Sequence, residues 1–246
     1  MNKHTAHRGD QLISSEGSYP VQVEGRLDEP LSRWLWLVKW LLAIPHFIVL
    51  VFLVIGAILA TIVAWFAILF TGKYPRGLFD YNLGVMRWAW RVAFYSYDAL
   101  ATDRYPPFTL QDDPEYPARL SVAYPEKLSR GLVLVKVWLL ALPHYVIVAL
   151  FVGGLIQITT GEDGARYSSP GLIGLLAIIA GIVVLFTKKY PDALFNLIMG
   201  LNRWVFRVAG YALLMTDAYP PFRLDMGGTE AGPAAPPGPV ISEPST

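Results

Sequence analysis

From Trp34 to Phe70 the chain is apolar apart from two strongly polar side chains, Lys39 and His46. Leu132–Ile158 repeats this pattern with Lys136, His144 and Gln157, and Gly171–Thr187 carries no charge. Runs of about 18 or more apolar residues read as membrane helices rather than as buried core. A segment rich in Gly, Ser and charge, Thr159–Pro170, divides the second run. The division predicts two helices there, 132–158 and 170–187, and by analogy two in the first run, 33–54 and 57–71, turning near Gly56. A single helix over 34–70 would be roughly 55 Å long, against a hydrocarbon core of about 30 Å.

A different pattern follows each apolar run. In 77–100, Asp80, Gly84, Arg87, Arg91, Tyr95 and Asp98 recur at spacings of three and four, a polar stripe on one helix face. In 193–215 the stripe is Asn196, Gly200, Arg203, Arg207 and Tyr211. Two mid-helix arginines make a crossing of lipid costly, so both segments are predicted as amphipathic helices on the cytoplasmic face; the alternative is a crossing with the arginines turned to the protein interior or a cavity. Tyr19–Leu27 and Tyr116–Tyr124 alternate apolar and polar residues, which predicts strands. The Pro-Pro-Phe segments 106–110 and 220–224 are extended candidates for the same small sheet.

These patterns are one unit written twice. Leu31-Ser32-Arg33 returns as Leu128-Ser129-Arg130, and Pro45-His46-Phe47 as Pro143-His144-Tyr145. Thr71-Gly72-Lys73-Tyr74-Pro75 returns as Thr187-Lys188-Lys189-Tyr190-Pro191. Arg87-Trp88 with Arg91-Val92-Ala93 returns as Arg203-Trp204 with Arg207-Val208-Ala209. Both copies close on Thr-Asp-x-Tyr-Pro-Pro-Phe-x-Leu, at Thr102–Leu110 and Thr216–Leu224. Blocks in one fixed order define repeats at 19–110 and 111–225, between an N-terminal segment 1–18 and a Pro/Gly-rich tail 226–246, both expected to be disordered.

On these motifs the sequence resembles the DUF4389 family of uncharacterised bacterial membrane proteins, common in actinobacteria. The resemblance spans nearly the whole chain outside the tails. It implies a membrane location and brings no activity with it.

Charge then orients the prediction. Arg33, Lys39, Lys73 and Arg76 flank the first apolar run, and Arg130, Lys136, Lys188 and Lys189 the second, whereas the dividing segment holds Glu162, Asp163 and Arg166. By the positive-inside rule both termini are cytoplasmic, in a multi-pass protein of the cell membrane whose two copies point the same way. Trp34, Trp36, Trp40 and Trp138 fall near the expected interface, and Lys39 and Lys136 are placed to snorkel outward. The expected fold class is thus an all-α membrane protein. Each repeat is a transmembrane hairpin plus an interfacial helix, with short cytoplasmic strands.

Composition agrees: 54% of the 246 residues are hydrophobic and 16% charged, below the quarter or so usual in soluble domains. With no cysteine, disulfides and thiolate ligation are excluded. No cleavable leader is read in the first thirty residues. His46 and His144 follow a helix proline, where a polar group can serve the backbone carbonyl that proline leaves free. That structural reading is set against proton transfer and against metal or haem ligation, for which two histidines are a poor set. Asp103 and Asp217 read as helix-ending polar groups. Arg87, Arg91, Arg203 and Arg207 read as a solvated stripe or, more sharply, as a clamp for anionic lipid headgroups. No catalytic motif is recognised, and no metal or cofactor is assigned.

Three functions remain open. The chain is a non-enzymatic scaffold that engages lipids or a membrane protein partner, including a second copy of itself. Alternatively it is a small transporter or channel subunit, or a lipid-modifying membrane enzyme. Nucleic acid is not among the expected partners.

Overall fold

The computed structural model describes residues 19–160 and 165–228, and side chains outside 154–170. The expected disordered tails, but for residues 226–228, and the acidic tip of the dividing segment lie outside the described residues.

The two alternating segments form β1 (Val21–Gly25) and β2 (Ala118–Val122), paired antiparallel with Val23 opposite Leu120. Each strand belongs to a different copy, and Val23 and Leu120 are equivalent positions of the repeat. A local twofold axis therefore passes through this pair. Arg26 N–H donates to the Pro117 carbonyl and Ala123 N–H to the Pro20 carbonyl, both at 2.9 Å, as that symmetry requires. Among the described residues the sheet has these two strands. The Pro-Pro-Phe segments, expected as two more, stay irregular because proline brings no N–H to a ladder.

Helix α1 (Lys39–Thr71) is continuous over 33 residues, roughly 50 Å. The expected hairpin of the first copy does not exist. Gly56 lies inside the helix, where the missing side chain admits Tyr81: a Cβ at Gly56 would meet the Tyr81 hydroxyl at 2.3 Å, and that hydroxyl donates to the Leu53 carbonyl. Helix α2 (Arg76–Tyr95) runs back against α1, whose buried stripe includes the small residues Ala43, Ala57, Ala60 and Ala64.

The second copy builds the same layer in pieces. Helix α3 (Leu132–Val135) passes through a π-turn (Lys136–Leu140) into α4 (Leu142–Val152), with a bend of 43°. An antiparallel ribbon follows, β3 (Gly153–Thr160) and β4 (Ala165–Pro170), and then α5 (Leu172–Thr187). The segment 132–158, expected as one helix, thus ends at Val152. Helix α5 starts where α4 stops: a Cβ at Gly171 would lie 2.2 Å from the Val152 carbonyl carbon. His46 and Thr71 are 25 residues apart, and His144 and Thr187 are 43 apart. The difference of 18 is the length of the ribbon Gly153–Pro170, so the ribbon is an insertion into a helix equivalent to α1. Helix α6 (Asp192–Ala212) then takes the place of α2.

Helices α2 and α6 are not surface helices. From Asn82 to Tyr95 every residue of α2 is buried except Arg87 and Ala89, which are half-buried. On its polar face the sheet meets Arg87 and the closing segment covers Gly84 and Arg91, while α1 packs on the other side. The described residues form three layers: α1 with α4 and α5 outermost, α2 and α6 in the middle, and β1–β2 on the far side. The outer layer is exposed and apolar, as at Phe52 (69%) and Phe70 (71%). The outer face of the sheet carries Gln22, Glu24, Arg119 and Ser121. Among the described residues one helix, α1, is long and apolar enough to cross a membrane, and a second if the bent α3–α4 pair counts as one.

Candidate functional site

Each copy ties its closing Thr-Asp-x-Tyr-Pro-Pro-Phe segment to the first turns of its long helix at two points. The first is a buried ion pair. Lys39 Nζ lies 2.9 Å from Asp103 Oδ1 and donates to the Thr102 carbonyl at 2.7 Å. It sits 5.1 Å above the centre of the Tyr95 ring. Asp103 Oδ2 accepts the Ser32 N–H at 2.5 Å. In the second copy Lys136 Nζ meets Asp217 Oδ1 at 2.8 Å over the Tyr211 ring, and Ser129 N–H donates to Asp217 Oδ2 at 2.6 Å. Both lysine side chains are 1% exposed, so they point inward and do not snorkel. An ammonium this deep must be paired, and each aspartate supplies the partner.

The second point is the proline-histidine step. Tyr105 donates its hydroxyl to the Leu42 carbonyl at 3.0 Å, three residues before Pro45. Tyr219 does the same for Leu140 at 3.1 Å, three residues before Pro143. The tyrosines thus bond the carbonyl next to the one each proline leaves free, which belongs to Leu41 in the first copy and Leu139 in the second. The histidines stack on the closing phenylalanines, His46 on Phe108 at 4.0 Å and His144 on Phe222 at 4.3 Å between ring centres. Trp88 Nε1 donates to His46 Nδ1 at 3.0 Å, and Trp204 Nε1 to His144 Nδ1 at 3.1 Å. An indole N–H only donates, so Nδ1 is the acceptor and the proton of the neutral ring sits on Nε2, which is buried in both rings. Neither Nε2 then offers the lone pair that a metal or haem iron takes.

The four arginines hold main chain and closing segments. Arg87 Nε donates to the Leu120 carbonyl of β2 at 3.0 Å, and Arg203 Nε to the Val23 carbonyl of β1 at 2.8 Å. Each helix thus grips the strand of the other copy. Arg91 donates to the carbonyls of Thr109 and Gln111, and Arg207 Nη1 to Asp225 Oδ2 at 2.6 Å. Burial pushes the Asp225 carboxyl up, but hydrogen bonding and charge from Arg207 and Arg223 outweigh it and hold the group below the usual carboxylate range. Arg91, Arg203 and Arg207 are buried, at 2%, 0% and 2% exposure. Each sequence-derived site residue thus has a hydrogen-bond partner within the chain. The sequence reading gave no role to Trp88, Trp204 and the closing Tyr and Phe residues, although they recur in the same blocks that flagged His46 and His144.

A cavity of about 520 Å³ opens at the seam between the copies, between the C-terminal half of α1 and the start of the second copy. On the other side of the twofold axis a pocket lined by Trp36, Gly181 and Leu100, the counterparts of Val133, Trp65 and Leu214, holds about 10 Å³.

Compared with known proteins, the chain matches the profile of a domain of unknown function, DUF4389, over residues 33–109 and 170–223, two segments consistent with two copies. No curated protein and no solved structure matches it.

Proposed function

The chain belongs to the DUF4389 family, and from its layered geometry we propose that it is a membrane-embedded, non-enzymatic module: the helical layer α1/α4/α5 lies in lipid and the sheet faces water. The observation that carries this reading is the free face of α1. Of its most apolar window only 17% is buried, and Phe52, Leu59 and Phe66 are each more than half exposed. Lipid is the medium in which such a face is not penalised.

Polar contacts to the rest of the chain hold α1 at both ends, at the Lys39–Asp103 pair and at the Gly72 carbonyl, which accepts the Leu128 N–H. Basic side chains flank both ends, Arg33 at one and Lys73 and Arg76 at the other. Both features support a helix lying along one leaflet, with both ends on the cytoplasmic side, rather than a crossing hairpin. The outer helices would contact lipids, and the sheet face would meet a protein partner or a second copy of the chain.

Two measurements test this. The protein should stay in the membrane pellet through alkaline carbonate washing and leave it only in detergent; release by carbonate overturns the reading. The chain has no cysteine, so Ser32→Cys and Lys73→Cys give single labelling sites at the two ends of α1. A membrane-impermeant maleimide should miss both in intact cells and label both in inverted vesicles. Labelling of the two from opposite sides would restore the crossing.

A further inference from the structure

The seam cavity is walled on one side by Ile58, Ile62 and Trp65 of α1 and on the other by Val133 and Val137, with Leu213 at its floor. Its volume of about 520 Å³ falls in the range of about 300–1,000 Å³ found for small-molecule sites. The few polar groups on its walls are engaged inside the protein. Thr61 donates to the Ala57 carbonyl at 2.7 Å and accepts from Asn82 Nδ2 at 3.0 Å. Trp65 Nε1 donates to the Val133 carbonyl at 3.0 Å, and the Leu213 carbonyl accepts from Tyr74 at 3.2 Å. Water entering would find too few partners to stay. A hydrocarbon needs none.

The cavity also has a direction. Four residues around it, Ile58, Ile62, Phe66 and Trp138, are 50–65% exposed and belong to the apolar face assigned above to lipid. The twofold-related seam shows that this space is not a by-product of joining two copies. There Trp36, which occupies the position of Val133, packs over Gly181, which occupies the position of Trp65. A Cβ at Gly181 would lie 2.9 Å from the Trp36 ring. One seam is plugged by an indole. In the other, Trp65 turns to the Val133 carbonyl and forms a wall, leaving the space open.

We propose that the open seam is a binding site for one hydrocarbon chain of a membrane lipid, entered sideways from the bilayer. The proposal rests on the membrane reading given above. It is tested on the full-length protein in phosphatidylcholine vesicles, with two photoactivatable probes in separate arms: a phosphatidylglycerol bearing a diazirine on its acyl chain, and a free fatty acid bearing the same group. Adducts are mapped by peptide mass spectrometry.

Adducts are expected at Trp65 and Leu213 inside the seam, and at Phe52 on the open outer face. Labelling by only one probe identifies whether phospholipid or free acid supplies the chain. Val137→Trp, from one wall, and Ile58→Trp, from the other, each fill the cavity. Either should lower seam labelling about tenfold while leaving Phe52 unchanged. Phe52 also reports that the variant is folded and inserted. Phe52 labelling with no seam adducts, or with seam adducts that both variants leave untouched, overturns the site and spares the membrane reading. No labelling at any position overturns both.

Discussion

The first copy carries one unbroken helix, whereas the second reaches the same two anchor points with a π-turn and an inserted ribbon. Lys39 and His46 are seven residues apart; Lys136 and His144 are eight. The extra residue is taken up as the π-turn Lys136–Leu140, and both anchors still close: Lys136 on Asp217 and His144 on Trp204. Single-residue insertions into helices commonly end as π-bulges of this kind. The difference shows which parts of the repeat are geometrically strict. The ion pair and the aromatic-histidine contact are met in both copies, while the chain between and beyond them varies in length.

The largest expected effect comes from the anchors. Lys136 has Asp217 as its hydrogen-bond partner, whereas Lys39 keeps the Thr102 carbonyl when Asp103 is removed. Asp217→Ala should therefore cost about 3–5 kcal/mol, the range for a buried charge left unpaired, and Asp103→Ala measurably less. Thermal unfolding in detergent ranks the two, and equal losses would mean that the carbonyl contributes nothing. Next, Trp88→Phe and Trp204→Phe each strand a histidine acceptor, at about 1–3 kcal/mol apiece. Similar losses would confirm that the two contacts are equivalent.

Gly56→Ala should cost about 1 kcal/mol, because its methyl displaces the Tyr81 hydroxyl from Leu53. In the second copy the equivalent positions are Leu172 and Leu197, so that conflict does not arise. Accordingly Tyr81→Phe should reduce the cost of Gly56→Ala in a double-mutant cycle, and strict additivity would refute the contact.

A smaller effect depends on pH. Copy one has two more residues than copy two between its stripe tyrosine and its Thr-Asp, and they bring in half-buried Asp98. Burial pushes its carboxyl up to about 6 from an ordinary value of 3.8. A raised carboxyl stabilises the fold fully below the ordinary value and loses that contribution as pH rises through about 6. Asp98→Asn should thus raise the Tm at pH 7.5 and leave it unchanged near pH 3.5. A gain independent of pH would point to another cause.

Excision of Gly153–Pro170 should change least. It restores the spacing of the first copy and joins α4 to α5, so the variant should fold with nearly the parental Tm. Failure to fold would mean that the ribbon is not a simple insertion.

Much of this architecture could be read from the sequence. Repeats, strands and helical segments announced themselves because each rests on a local pattern. Val21–Gly25 and Ala118–Val122 alternate, and the strands formed there. The continuity of α1 could not be read, because Gly56 looks like a turn until Tyr81 is known to need its space. Dividing the first run also assumed that apolar length must be spent crossing lipid. The arginine stripe was visible, but not what covers it. A stripe of Arg87 and Arg91 looks the same in sequence whether it meets water or the carbonyls of Leu120, Thr109 and Gln111. The histidine sites were half legible: the pair was flagged, but its tautomer depends on tryptophans forty-two and sixty residues away.

The crossed grip of Arg87 on β2 and Arg203 on β1 has a consequence for ancestry and assembly. A polypeptide carrying one copy would own a strand whose ladder partner, and an arginine whose acceptor, belong to another molecule. Two such polypeptides would close head to head about an axis through their central strand residues, as Val23 and Leu120 do within this chain. The covalent link between the copies at residues 111–115 holds within one chain a contact that two single-copy chains would have to make between molecules. It also frees the two seams to diverge, so that one could fill with tryptophan while the other stayed hollow.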